Sequence, residues 1–341
     1  MESACPVCQS QIDSQGNIYI DQWFASLGLF KDAVIVHCKA CGLGRCQPYP
    51  DQTTLEHFYE YVYRSRESPW ALDFGTLRRH RNRDPRSMAQ LSLALQFTQF
   101  GIGDVFVDIG PGWGRSFKSA AELLPNPDMY AIELQKGAAA AYRRLYDVTT
   151  YSSLTDLGTA QPTIVLASHS FEHLPLPALN ELLIDLACLI RPGGVLVAEV
   201  PHVDMRHHAN VRGNDSPHLL FCTPDSMFRI LEDAGFETLF IDTCCALFDQ
   251  KPSSGTVQMD ATIPPGERTR RSLLQAIGAR LPARARRAAY SMAEFLGDRR
   301  GPRSLLADEN FRYGGNRDCL RFVARPVPDS RSGHTCQPAV R

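Results

Sequence analysis

The chain has 341 residues, a net charge of −1, 44% hydrophobic residues and 21% charged residues. Those proportions fit a soluble protein with one sizeable α/β core and a small appendage. They exclude a global field drawing the chain to nucleic acid or acidic membrane, and no apolar run reaches the length of a membrane span.

The start, Met1-Glu2-Ser3-Ala4-Cys5, carries no charged-then-apolar export pattern. Eleven cysteines without such a pattern predict a reducing, cytoplasmic setting with thiols free or on metal. Cys5-Pro6-Val7-Cys8 and Cys38-Lys39-Ala40-Cys41-Gly42 form two C-x-x-C knuckles. Strand-like pieces, Asn17 to Ile20 and Ala33 to His37, lie between them. A C-x-x-C turn aims two sulfurs at one centre, and zinc takes four thiolates tetrahedrally, so Cys5, Cys8, Cys38 and Cys41 read as a structural Zn²⁺ ribbon over residues 1–48. A closed four-cysteine site has no open position and is assigned no catalysis. The plain alternative is four reduced core cysteines, or disulfides in an exported protein.

Residues 49–100 read as a helical lid or linker. Leu55, Phe58, Tyr59 and Val62 share one face, and Met88, Leu91, Ala94 and Leu95 share another. Leu93, Phe97 and Phe100 add a second row, so the later helix is expected to be buried on more than one side. Tyr59, Tyr61, Tyr63 and Trp70 either pack in a core or line a ligand mouth, where aromatic faces stabilise a cation.

From Asp104 on, strands and helices alternate. Strands are expected at 105–109, 129–133, 164–168, 194–200, 237–243 and 319–324, and helices at 114–124, 137–146, 176–190 and 224–234. This pattern predicts an α/β, Rossmann-like, seven-stranded and mostly parallel sheet with helices on both faces. Its core spans 101–251, and its last strand lies within 316–327. Residues 252–315 read as an arginine-rich helical insertion before that strand: a substrate cap, a homodimer contact, an anion-facing surface or simply a solvated basic helix pair. Residues 328–341 read as a disordered tail.

In a parallel sheet, ligands bind beyond the carboxyl ends of the strands, and the chemistry-bearing residues fall there. Asp108 sits near the end of the first core strand, before a turn with Gly110, Gly112 and Gly114. A dinucleotide fingerprint would place its third glycine at 115, where this chain has Arg115, and that offset moves the reading from NAD to S-adenosylmethionine. Glu133, ending the second strand, can accept both hydroxyls of a ribose. The polar turn Ser152-Ser153-Leu154-Thr155-Asp156 offers a backbone amide and a side chain to adenine, although such turns also simply cap helices. His169, His173, His202 and His218 all follow strands on this face. His173 or His218 is the expected base, with Glu172 orienting it; the alternative for His173 is a structural cap.

Asp108-Ile109-Gly110-x-Gly112-x-Gly114 with Glu133 resembles the first two motifs of class I S-adenosylmethionine-dependent methyltransferases. Ser168-His169-Ser170-Phe171-Glu172-His173-Leu174 resembles the fourth motif of the branch carrying Glu-His-Leu there. Leu189 to Gly194, His218 to Pro224 and Ala234-Gly235-Phe236 are similar to the same branch, and the knuckles resemble the zinc module of sugar C-methyltransferases. The larger carboxy-terminal domain of those enzymes has no counterpart here. The resemblance implies that Gly110, Gly112 and Gly114 pack on the methionine part of the cofactor and that Glu133 holds ribose. It also implies that Ser153 and Leu154 flank adenine, and that His169 and Ser170 sit below the sulfonium. The expected activity is methyl transfer to a small-molecule acceptor such as a sugar, a lipid-linked compound or a secondary metabolite, at a C, O or N site. The alternative is an RNA methyltransferase that grips RNA with the ribbon and the basic insertion. The near-zero net charge, the few basic residues of the ribbon and the missing Asn/Asp-Pro-Pro-aromatic run stand against it. A third reading is a non-catalytic binding or assembly protein on the same fold.

Overall fold

Alternate residues of each core strand face opposite ways, and in this chain both faces are apolar, which requires cover on both sides. The computed structural model describes residues 4–18, 33–63, 74–80, 84–204, 206, 218–246, 311–313 and 319–328. The expected insertion lies almost entirely outside these residues, as do Trp70, His207, His208 and the expected tail. The strands are β1 (Ile12–Ile18), β2 (Val34–Cys38), β3 (Gly44–Gln47), β4 (Val105–Ile109), β5 (Asp128–Ile132), β6 (Thr149–Tyr151), β7 (Ile164–Ser168), β8 (Val195–Pro201), β9 (Leu220–Phe221), β10 (Phe236–Ala246), β11 (Phe311–Tyr313) and β12 (Cys319–Pro326). The helices are α1 (Gln52–His57), α2 (Phe74–His80), α3 (Pro85–Ala94), α4 (Arg115–Leu123), α5 (Lys136–Tyr146), α6 (Leu176–Leu189) and α7 (Pro224–Asp233).

The large sheet runs β11-β10-β12-β8-β7-β4-β5-β6. From β6 through β8 all neighbours are parallel, while β12 runs antiparallel to both β8 and β10. This is the expected Rossmann-like sheet, seven strands long from β6 to β10, with the short β11 added as an eighth at the edge. The order reverses beside β4, and that switch point opens the ligand crevice of such sheets. Val107, Ile109, Val165, Ala167, Leu196 and Ala198 pack on one side with Leu179, Leu183 and Leu186 of α6 and Met227 and Ile230 of α7. Phe106, Ala131, Ile164, Leu166, Val195 and Val197 pack on the other with Leu91 and Ala94 of α3, Phe117 and Ala120 of α4, and Ala138 and Tyr142 of α5.

Helix α3 is buried on more than one side, as its two apolar rows require: Ser87, Met88, Gln90, Leu91, Leu93 and Ala94 are all covered. Asp84 caps it, accepting from the Ser87 amide at 3.1 Å, and Pro85 opens its first turn. Thr223 caps α7 in the same manner, closing a reciprocal pair with Ser226.

The amino-terminal sheet has the order β1-β2-β3-β9, so a strand from within the core, between β8 and α7, closes it. Cys5, Val36, Cys38, Cys41 and Leu43 share one apolar cluster with residues of α6, α7, β8 and β12. Thr223 Oγ1 donates to the Cys41 carbonyl at 2.6 Å, and Arg206 donates to the Ala40 carbonyl at 2.8 Å. The cysteine-bearing segment is thus packed into the rest of the fold. Among the described residues no helix is long and apolar enough to cross a membrane.

Candidate functional site

The site begins with the turn after β4. Gly110, Gly112 and Gly114 all take positive φ, 65°, 57° and 65°. At Gly110 a Cβ would meet Ser170 Oγ at 2.8 Å, and at Gly114 it would meet the rings of Tyr146 and Tyr142 at 3.0 and 3.1 Å. The first glycine therefore lets the turn lie against the loop after β7, and the third lets α4 start against α5. Ser170 Oγ fixes that contact by donating to the Ile109 carbonyl at 2.7 Å. Gly110 and Ser170, predicted from separate motifs, are brought together.

Glu133 follows β5 and is half-buried. Its Oε1 accepts from the Gln135 amide at 2.9 Å, and its Oε2 lies 3.4 Å from the Tyr142 hydroxyl. That hydroxyl also donates to the Gly112 carbonyl at 2.5 Å, so Tyr142 ties the glycine turn to the acidic anchor. Ser153 caps a short 3₁₀ turn, Leu154–Leu157, accepting from the Thr155 amide at 3.3 Å, and Leu154 is buried with Ile109 in one cluster. Capping accounts for Ser153 in this structure, and the turn still lies beside the carboxyl end of β6.

Asp108 is buried and accepts from Ser116 Oγ. Burial pushes its carboxyl up to about 7, helped by the charge of Glu133 and opposed by the Ser116 hydroxyl. An acid whose value rises on folding costs nothing below its ordinary value near 3.8, and its full cost is present above about 7. At roughly 1.4 kcal/mol per unit, that cost is on the order of 4 kcal/mol. Asp108→Asn does not titrate, so its melting temperature relative to wild type is expected to climb by several degrees from pH 4 to pH 8. A difference that stays flat over that range would show that Asp108 ionises freely.

The fourth-motif residues form a buried charge network. His169 takes φ 55° and stands between two acids: Nδ1 lies 3.3 Å from Glu172 Oε1 and Nε2 lies 3.3 Å from Glu199 Oε1. Burial alone would lower the His169 value, but contacts with Cys319, Glu172 and Glu199 raise it well above the usual histidine range. The two acids therefore favour the charged form of His169. Glu199 also meets Arg321 at 2.5 Å and Arg86 at 3.2 Å, and Gln90 donates to it at 3.2 Å. Arg321 and Glu199 are directly opposite one another in the β12–β8 ladder. Burial would raise Glu172, yet His169, His173 and His218 hold it down at about 2.

His173 and His218 lie on the other side of Glu172, with Nε2 atoms 3.8 and 3.9 Å from its Oε1. Their rings are 5.1 Å apart. Burial and the neighbouring His173 push His218 down to about 3, so it stays neutral and is a weak base at physiological pH. Tyr59 and Tyr63 stand over His173 at 5.9 and 6.3 Å. Tyr59 belongs to a π-helical turn, Phe58–Val62, that continues α1, Tyr63 caps its C-terminal end, and Glu60 of the same turn meets Lys136 at 3.0 Å. Tyr59 and Tyr63 thus edge the site, while Tyr61 is 57% exposed. Sequence reasoning missed Ser116, Tyr142, Glu199, Arg321, Arg86 and Gln90. The one available signal was a charge inside each of two apolar strands, Glu199 and Arg321.

Cys5, Cys8, Cys38 and Cys41 converge, with all four sulfurs within 4.8 Å of one another. Cys5 and Cys41 are 3.8 Å apart and Cys8 and Cys38 are 3.3 Å apart. Four sulfurs at Zn–S bond lengths of about 2.3 Å stand ~3.8 Å from each other, so the cluster has the size and chemistry for zinc. The Cys41 thiol and the amides of Cys8 and Val7 lower the Cys5 thiol to about 5, against the pull of burial. Eight described cysteines are free thiols, but Cys188 is disulfide-bonded, which corrects the expectation that every thiol is free or on metal.

No protein-family model and no curated protein matches the chain. Solved structures resemble it loosely. A Haloferax volcanii complex of the Trm112 methyltransferase activator with a methyltransferase gives 14% identity over 71% of this chain and 90% of that chain, at a TM-score of 0.43. The cyclopropane synthase MmaA2 of Mycobacterium tuberculosis gives 14% identity over 70% of this chain and 83% of that one, at 0.41. A Geobacter sulfurreducens SAM-dependent methyltransferase bound to S-adenosyl-L-homocysteine gives 15% identity over 74% of this chain and 97% of that one, at 0.39.

Proposed function

We propose that the chain is an S-adenosylmethionine-dependent methyltransferase acting on a small-molecule acceptor, with a structural zinc ion held by Cys5, Cys8, Cys38 and Cys41. The observation that carries it is the left-handed glycine turn at the end of β4 set against Glu133 at the end of β5, with the Tyr142 hydroxyl donating to the Gly112 carbonyl and lying 3.4 Å from Glu133 Oε2. The fit rests on the donor set. Gly110 and Gly112 present backbone without side chains, and Glu133 presents carboxylate oxygens at the strand end where a ribose lies in this sheet type. Ser153 and Leu154 border the adenine end.

When bound, S-adenosylmethionine supplies a methyl group already activated on a sulfonium. The chain's own task is then mainly alignment, since orientation contributes effective molarities of ~10⁵–10⁸ M against ~10²–10⁴-fold for a positioned base. Ser170 holds the loop after β7 against the glycine turn. His169, its charged form favoured by two acids, acts as a positioning residue for that loop and takes no proton. Glu172, His173 and His218 form the acceptor side, and the acceptor's proton passes to water beside them. Tyr59 and Tyr63 border the same space.

The test is transfer of label from methyl-tritiated S-adenosylmethionine in cell extract. Label in the small-molecule fraction, absent with Gly110→Val, is the expected result. Label confined to RNA would overturn the acceptor class, and no label above a boiled control would overturn the activity.

A further inference from the structure

We propose that Glu172, His173 and His218 hold a divalent first-row transition-metal ion, distinct from the cysteine site, on the acceptor side of the cofactor crevice. The geometry carries it. One donor atom from each residue lies within 4.8 Å of the other two, so a single ion can reach all three. The Nε2 atoms of His173 and His218 both approach the same oxygen, Glu172 Oε1, at 3.8 and 3.9 Å. Imidazole and carboxylate donors around one ion, at bond lengths of about 2.0–2.2 Å, stand roughly 3.4 Å apart in a tetrahedral arrangement. The two carboxylate–imidazole spacings, 3.8 and 3.9 Å, need to close by about half an ångström, and the two imidazole donors lie within 4.8 Å of each other.

The carboxylate is the second observation. Glu172 is 1% exposed, and among the described residues, apart from His169 Nδ1, 3.3 Å from Oε1, no donor other than the two imidazoles of the triad is close to it. A buried carboxylate ordinarily collects hydrogen bonds; this one is surrounded by imidazoles at ion-pair distance instead. The backbone enforces the placement. Leu219 N–H donates to the Glu172 carbonyl at 2.7 Å, which locks His218 beside the turn after β7. On the near side, Ser170 anchors the same turn to the glycine loop.

Two imidazoles and one carboxylate leave coordination positions open, unlike the four-cysteine cluster. This deepens the methyltransferase reading and rests on it for one consequence only: the open positions take an acceptor oxygen. A hydroxyl ligated there loses its proton to water more readily, leaving an oxygen lone pair for the methyl group. The acceptor class is then a hydroxyl compound.

The experiment uses the full chain, stripped with EDTA and titrated with Mn²⁺ by electron paramagnetic resonance. Mn²⁺ prefers oxygen and nitrogen donors, so a thiolate site does not report. One Mn²⁺ per chain is expected, with His173→Ala and His218→Ala each weakening binding roughly a hundredfold. S-adenosylhomocysteine affinity, read by calorimetry, is expected to stay unchanged in both variants. Either variant suffices if its melting temperature is retained. No Mn²⁺ uptake by wild type, or wild-type affinity in both variants, would overturn the site. Mn²⁺ uptake without S-adenosylhomocysteine binding would keep the metal site and remove the methyltransferase reading.

Discussion

Arg321→Met is expected to destabilise the protein by about 3–5 kcal/mol, the usual cost of removing one partner from a buried ion pair. The guanidinium is fully buried and meets a carboxylate that is 1% exposed. Methionine fills the same volume, so the loss is not a cavity effect; it comes from Glu199 left with less compensation in a dry interior. Arg86 and His169 still face Glu199, which places the loss near the lower end of that range. The sign with pH follows from the depressed Glu199 value. Burial opposes its charge, but Arg321, His169 and Arg86 hold it well below the usual carboxylate range. The stability this gives is present above the unfolded value near 4.5 and is lost as pH falls through the folded one. The gap between wild type and Arg321→Met is therefore expected to be widest at neutral pH and to narrow in strong acid. Urea denaturation at pH 7 measures it, and a loss under 1 kcal/mol would show that the pair is not what holds β12 against β8.

Most of the core was legible because its strands are buried on both faces. Val105–Ile109, Ile164–Ser168 and Val195–Pro201 read as short, mostly apolar runs, and their length, β-branched residues and nearby glycine or proline favour covered strands over helix. The edges were not legible. β6 is three residues, Thr149–Tyr151, and β9 is two, Leu220–Phe221; neither is long enough to show a period. β3 carries Gly44 and Arg45, and it is a strand because β2 and β9 pair with it on either side. Such pairing is a tertiary fact that local pattern does not encode.

The same division runs through the site. The glycine turn and Glu133 announce themselves by spacing along the chain. Glu172, His173 and His218 were each visible as strand-end residues, but their convergence on one carboxylate oxygen depends on Leu219 bonding to Glu172 across 47 positions of sequence. Arg321 and Glu199 face each other only because an antiparallel last strand is inserted beside β8. Gln90 donates to Glu199 from α3, and nothing in the helical period of that segment marks the partner.

Glu133→Ala is the second large effect, and it acts on binding rather than on the fold. A carboxylate holding two ribose hydroxyls makes two hydrogen bonds to a charged group, each worth about 1.5–3 kcal/mol. Alanine leaves both hydroxyls facing water or nothing. Glu133 is half-buried at a strand end, so the melting temperature is expected to change little. Tyr142 keeps its bond to the Gly112 carbonyl, which preserves the glycine turn in the variant.

Calorimetric titration of wild type and Glu133→Ala with S-adenosylhomocysteine decides the matter. One molecule bound per wild-type chain, with affinity reduced a hundredfold or more in the folded variant, is the expected result. No heat and no thermal stabilisation with wild type, or equal affinity in the two proteins, would contradict it.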